Sequence, residues 1–397
     1  MPRSAPMNNR LLQCLALATM SLAAARLAAD DSVEGRLQAL ESRVRQLAEE
    51  NAALRQQLGA PDPAAPGPVQ PAGHESRLAI GGFLQAQAEF GRAPDPRYAG
   101  VRDRFYFRRA RVYVTGAFLD DFEFKAELDL QGNTLAAAPG QTARANEIYL
   151  GWRKYPEANL RFGQIKSAFG SEQLSSDTTG GVIERSLAND RLTDGRQIGM
   201  SVGGDLPGKM FSYLVVVANG SGVNTSANDN GKFQKSAHVA FVPVAGKDAT
   251  LTFGASGLWT DDHGVNKPGL GFPGNSFAGR RTGFGLDADW AWGRLDLSGE
   301  WLQDDFRPDG AAPFTADGWH ATATWFVVPL KLQALVRREQ FDPNRALPGE
   351  TLETWTFGMN YFLRGNDLKL MLDYEVGRVP GATDDGGRLL TRLQVAF

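Results

Sequence analysis

From residue 77 to the C-terminus, apolar and polar residues alternate with a period of two. Residues 122–131 read FEFKAELDLQ: Phe122, Phe124, Ala126, Leu128 and Leu130 share one face, and Glu123, Lys125, Glu127, Asp129 and Gln131 share the other. Successive side chains of a strand point to opposite sides, so such a run predicts a strand with apolar surroundings on one face and water on the other. Sixteen segments follow this rule: 78–90, 104–118, 122–131, 145–153, 160–167, 196–204, 210–219, 233–242, 249–260, 281–290, 295–303, 318–327, 330–341, 352–363, 367–378 and 388–397. Their connections alternate in length. Short ones rich in turn residues, such as 119–121, 205–209 and 364–366, alternate with long ones such as 91–103, 132–144, 168–195 and 261–280. The implied fold class is all-β: a sixteen-stranded antiparallel transmembrane β-barrel, apolar face to lipid, polar face to the lumen, both termini periplasmic. A soluble β-sandwich of this length would have shorter and less regular strands.

Aromatic residues fit this picture. Trp152, Tyr155, Trp290, Trp292, Trp325, Tyr361 and Phe362 fall near the short turns, where they would form one girdle at the membrane interface. The chain stops at Phe397 in LTRLQVAF, an amphipathic strand ending in an aromatic, which resembles the signal read by the outer-membrane assembly machinery.

Upstream the pattern changes twice. Arg3 and Arg10 precede the apolar run LLQCLALATMSLAAA at 11–25, which is too short for a stop-transfer helix and ends in small residues; 1–25 therefore reads as a signal peptide, cleaved after Ala25 or Ala29. Cleavage removes Cys14, the one cysteine, which suits an oxidising periplasm. Within 30–58, Val33, Leu37, Leu40, Val44, Leu47, Asn51, Leu54 and Leu58 alternate spacings of four and three, an expected coiled-coil helix. Asn51 at a core position fixes register without choosing between two and three strands. Residues 59–76 carry five prolines and read as a semi-rigid linker. Together these segments imply the outer membrane of a Gram-negative bacterium, with the coiled coil in the periplasm and within reach of peptidoglycan.

Composition removes other classes. A net charge of −3 and a single Cys exclude a strongly basic nucleic-acid binder and a Cys-based zinc module. Beyond the N-terminus no apolar stretch approaches the roughly 18–20 residues of a spanning helix. The mean hydropathy of −0.30 does not argue against a barrel, whose apolar positions are only every second one. The barrel segment, 77–397, carries 35 basic against 37 acidic residues, which favours no ion, while 32 Arg to 10 Lys in the whole chain suits planar oxyanions.

Several stretches resemble the phosphate-selective porins O and P: FYFRRARVYVTGAF at 105–118 followed by DFEFKAELDL, NEIYLGW at 146–152, LRFGQIKSAFGSEQ at 160–173, IERSLANDRLTDGRQIGMSVGG at 183–204 and FGMNYFLRGNDLKLMLDYE at 357–375. The resemblance covers about 78–397 and implies a sixteen-stranded barrel, usually trimeric, that passes small anions such as phosphate.

A diffusion pore makes no covalent chemistry, so its selectivity rests on the charges at its narrowest part. By alternation from Ala110, Val112 and Val114, the side chains of Arg109, Arg111, Tyr113 and Thr115 point inward, whereas Arg108 falls on the other phase, near the outer rim. Two inward arginines about 7 Å apart along a strand can offer planar donors to a phosphate or carboxylate. They can equally pair with Glu123, Glu127 and Asp129 of the neighbouring strand. The third long connection, 168–195, carries Glu172, Asp177, Glu184, Arg185, Asp190, Arg191 and Asp194, with Lys166 before it and Arg196 after. In porins this loop folds inward. By resemblance, the IERS segment with Arg185 and the DGRQIG segment with Arg196 match family positions, but the lysines on which the family's phosphate selectivity leans are missing from this loop. The expected pore lining is Arg109, Arg111, Tyr113, Lys125, Lys166, Arg185, Arg191 and Arg196, with no cofactor and no metal.

An enzyme is not expected. His74, His238, His263 and His320 are far apart, Asp261, Asp262 and His263 read as solvated loop surface, and GFGLDA at 283–288 reads as strand. The reading is a porin for passive diffusion of small solutes, anion-preferring and trimeric. Its rivals are a general or cation-preferring porin and a peptidoglycan tether whose barrel is mainly an anchor.

Overall fold

The computed structural model describes residues 77–131, 135 and 142–397. The expected signal peptide, coiled coil and Pro-rich linker lie outside the described residues, as does most of the 132–144 connection.

All sixteen expected strands form: β1 (Arg77–Gly91), β2 (Arg104–Phe118), β3 (Phe122–Asp129), β4 (Arg144–Trp152), β5 (Asn159–Lys166), β6 (Arg196–Asp205), β7 (Phe211–Ala218), β8 (Gln234–Ala245), β9 (Ala249–Asn266), β10 (Ser276–Trp292), β11 (Leu295–Pro308), β12 (Phe314–Val328), β13 (Leu332–Asp342), β14 (Leu352–Arg364), β15 (Leu368–Gly377) and β16 (Gly386–Ala396). Each pairs antiparallel with its sequence neighbours, and β1 pairs with β16 through Phe83↔Ala396 to Gly91↔Arg388, closing the barrel. Closure leaves no unpaired edge, as hydrocarbon requires of any strand structure.

The alternation read from sequence is the alternation in space. Ile80, Leu128, Leu150, Phe162, Phe253, Leu286, Phe357 and Leu370 face outward and are exposed, an apolar belt far larger than a water-facing surface carries. Gln85, Glu89, Asp373, Arg392 and Gln394 face inward and are buried. Trp290, Trp292, Trp325, Tyr155 and Tyr361 are exposed beside the short turns. Phe362, grouped with them above, is a correction: one position on from Tyr361, it faces the interior and packs 5.6 Å from Phe326.

Two further differences have local causes. The β9–β10 connection is shorter than expected because both strands continue, so only 267–275 remain between them. The extension is stitched by Arg281, whose guanidinium bonds Asp262 at 3.1 Å and Asp304 at 2.8 Å. Strand alternation thereby separates the 261–263 triplet: Asp262 is buried, Asp261 pairs with Lys232 at 2.6 Å, and His263 is exposed.

Arg108 is the second. It does not sit at the outer rim. Gln85 pairs with Arg109 while Ala86 pairs with Phe107, so Arg108 is the extra residue of a β-bulge. A bulge sets two residues against one and re-aims a side chain. Arg108 therefore turns inward beside Arg109 and is buried.

Candidate functional site

The 167–195 connection enters the barrel. Gly170 (φ +87°) turns the chain in and Gly195 (φ +67°) returns it to β6, both in a region that favours glycine. Between them lie a helical turn, Ser171–Leu174, and a short helix, Leu187–Leu192, whose N-cap Ser186 accepts a hydrogen bond from the Asn189 amide. Leu187, Ala188 and Leu192 of that helix, with Phe169, pack on Leu258, Phe277, Leu302, Phe306 and Phe341 of the inner wall. The wall is thus apolar inside at its long-loop end, on the face that elsewhere meets water.

Charge completes the anchoring. Each loop carboxylate meets a cation from elsewhere in the barrel. Glu172 accepts from Arg337 at 2.8 Å, Glu184 pairs with Arg108 at 3.0 Å and Arg392 at 2.5 Å, Asp190 with Arg97 at 3.0 Å, and Asp194 with Arg281 and Lys267, each at 2.5 Å. Asp177 lies among Arg111 at 2.6 Å, Arg185 at 3.1 Å and Arg109 at 3.3 Å. Burial pushes the Glu184 carboxyl up, but Arg108 and Arg392 outweigh it and hold it at about 2. Burial likewise opposes ionisation of Asp177, and Arg109, Arg185 and Arg111 together hold it well below the carboxylate range.

The eight residues expected to line the pore all reach this interior. Arg109 and Arg111, read as free donors or partners of β3, bind the loop through Asp177; Arg111 also meets Asp129 at 3.1 Å, whereas Glu123 pairs with Arg161. Lys125 bridges Glu127 and Glu147, each at 2.8 Å, with its ammonium 5.5 Å from the Tyr113 ring centre. Arg196 pairs with Glu147 at 3.2 Å, and Arg185 donates to Gln173 at 2.8 Å. Lys166 donates to the carbonyls of Leu174 and Ser175 at 3.0 and 2.7 Å. Among the described residues Lys166 and Arg191 have no carboxylate within ion-pair distance, and neither does Arg144, which sequence reasoning missed.

Among the described residues, three of the cavities around the loop bear on its charge. One of about 700 Å³ at the long-loop end is lined by seven arginines (97, 108, 109, 144, 185, 191 and 196) against Asp190 and Asp194. A second of about 780 Å³ lies toward the short-turn end and is lined by Arg111, Tyr113, Lys125, Lys166 and Arg196 together with Glu127, Glu147 and Asp177. The third, about 460 Å³, runs between the loop and β11–β12 and is acidic, with three arginines against five carboxylates, beside His320. The loop thus separates a basic entrance from two unlike passages.

Residues 83–397 match the family described as phosphate-selective porin O and P. Porin O of Pseudomonas aeruginosa is 24% identical over 304 residues, covering 68% of each chain. Among solved structures, an anion-selective porin from Comamonas acidovorans superposes with a TM-score of 0.60 at 14% identity, over 81% of this chain and all of that one. The outer membrane channel DcaP of Acinetobacter baumannii gives 0.58 at 14% identity over 83% and 99%. The trimer form of OmpT, an outer membrane protein of Vibrio cholerae, gives 0.57 at 11% identity over 81% and 99%.

Proposed function

The chain belongs to the phosphate-selective porin O and P family and is an outer-membrane porin channel; from that premise we propose that it passes small anions, phosphate or another oxyanion, by passive diffusion, without catalysis. One observation carries the reading. The carboxylates of the inward loop are neutralised by cations of the barrel, so the entrance keeps an excess of guanidinium groups, Arg144 and Arg191 among them, and Lys166 stands unpaired beyond it. Anions are drawn into such an entrance and cations repelled. Planar guanidiniums suit oxyanions in particular. Arg109, Arg111 and Arg185 then act chiefly by holding the loop, and Lys125, Lys166, Arg191 and Arg196 by meeting the solute.

The channel assembles as a homotrimer, as the Vibrio OmpT trimer form supports. For the heptad segment at 30–58 the proposal is a periplasmic location within reach of peptidoglycan, which its heptad spacing and the Pro-rich linker support. The acidic third cavity favours a second reading, a cation-preferring pore. Planar-bilayer recordings in a KCl gradient, repeated with added phosphate, decide between them: a reversal potential on the anion side with block by phosphate supports an oxyanion channel, a cationic reversal without block supports the second reading, and no conductance leaves a tether with an occluded barrel.

A further inference from the structure

The acidic cavity ends on a group that ion permeation does not account for. Glu172 of the inward loop, Glu300 of β11 and His320 of β12 each place one ligand atom within 4.8 Å of the others. His320 is 6% exposed, yet neither ring nitrogen has a hydrogen-bond partner; its Nε2 stands 3.7 Å from Glu172 Oε2. Glu300 is 5% exposed, with Oε1 accepting from the Ser171 amide and Oε2 unpartnered. A buried imidazole with both nitrogens unsatisfied is costly, and here it lies against two carboxylates, the donor set of a borderline divalent metal.

We propose that Glu172, Glu300 and His320 form a zinc-type binding site joining the inward loop to the barrel wall. A point central to three atoms within 4.8 Å of one another lies at most about 2.8 Å from each, against about 2.0–2.2 Å for zinc–nitrogen and zinc–oxygen bonds, so modest side-chain rotation closes the site. Water completes the tetrahedron from the cavity. The local charge favours it: two carboxylates face one guanidinium, that of Arg337, which holds Glu172 Oε1 at 2.8 Å. Glu172 Oε2 accepts from the Ser186 amide at 3.0 Å and hydroxyl at 2.6 Å, and the metal replaces the hydroxyl contact. The imidazole selects zinc over magnesium or calcium, which prefer oxygen-only shells.

The test is equilibrium dialysis of the EDTA-stripped full-length protein against zinc chloride, which needs no conduction and so stands apart from the channel reading. The expected result is one zinc per chain, no magnesium retained at the same concentration, and affinity reduced at least about tenfold in His320→Gln and in Glu300→Gln. Asp384→Asn, at an exposed ion pair, should bind as the parent does. Zinc not retained by the parent, or retained equally by His320→Gln and Glu300→Gln, overturns the site. Should those variants fail to fold, zinc-edge X-ray absorption of the loaded parent decides: one imidazole among oxygen ligands supports the site, and a shell without imidazole refutes it.

Discussion

Replacing Asp177 by Asn removes the charge that three arginines share. The carboxylate is 3% exposed and lies 2.6, 3.1 and 3.3 Å from Arg111, Arg185 and Arg109. Asn keeps one acceptor and turns an amide donor toward guanidiniums that are donors themselves. Breaking a buried pair by removing one partner costs about 3–5 kcal/mol; at the lower figure the balance between docked and undocked loop falls roughly 150-fold, taking 1.4 kcal/mol per factor of ten. Lost charge acts on permeation separately. A negative charge acting on an ion across about 7 Å is worth about 0.6 kcal/mol in water, and about half that after salt screening. Because anions and cations shift oppositely, the anion-to-cation permeability ratio should rise about threefold. Reversal potentials of parent and Asp177→Asn channels in a KCl gradient give the ratio, and open-channel current noise reports the loop. A ratio unchanged or moved toward cations, with current as quiet as the parent's, would refute the reasoning that this carboxylate both pins the loop and offsets the cationic charge of the two passages it lines.

Leu187 is fully buried in the cluster that seats the loop helix, so Leu187→Ala should cost about 2–5 kcal/mol, seen as added current noise and faster proteolysis within 168–195, while β-strand content by circular dichroism stays the same. Acid should leave the loop docked. The folded-state carboxyls of Asp177 and Glu184 are depressed, so their stabilisation is fully present above the unfolded carboxylate values near 4 and disappears as pH falls through the folded values, near 2 for Glu184. Current noise should therefore stay flat from pH 7 to about 4, and a noise transition centred at pH 5–6 would contradict the pairing.

The barrel was legible because lipid on one side and water on the other impose a period of two, which one strand such as 122–131 displays alone. The inward arginines at 109 and 111 were legible for the same reason. What they touch was not. Asp177 meets Arg109 and Glu184 meets Arg392 only after the barrel closes β1 on β16 and the loop turns in, contacts that no local pattern encodes. Arg108 escaped because a bulge shifts the phase by one residue without a sequence mark. In the apolar inner patch, Leu302 and Phe341 looked like ordinary strand and Phe306 fell in an expected loop, since alternation says which residues share a face but not that a loop will cover it. Arg144 was missed because it stands where β4 meets a connection without periodicity, one residue before the expected strand. His320 read only as one of four histidines far apart; its nearness to Glu172 and Glu300 depends on the loop's fold.

If the unpaired cations set selectivity, the most direct measurement is the reversal potential of the parent beside a variant carrying Arg144→Gln, Lys166→Gln and Arg191→Gln, all three of which lie apart from the loop's ion pairs. An anionic reversal in the parent that collapses toward zero or turns cationic in the variant is the predicted result; a cationic parent, or a variant that keeps the parent's anionic value, would contradict the account.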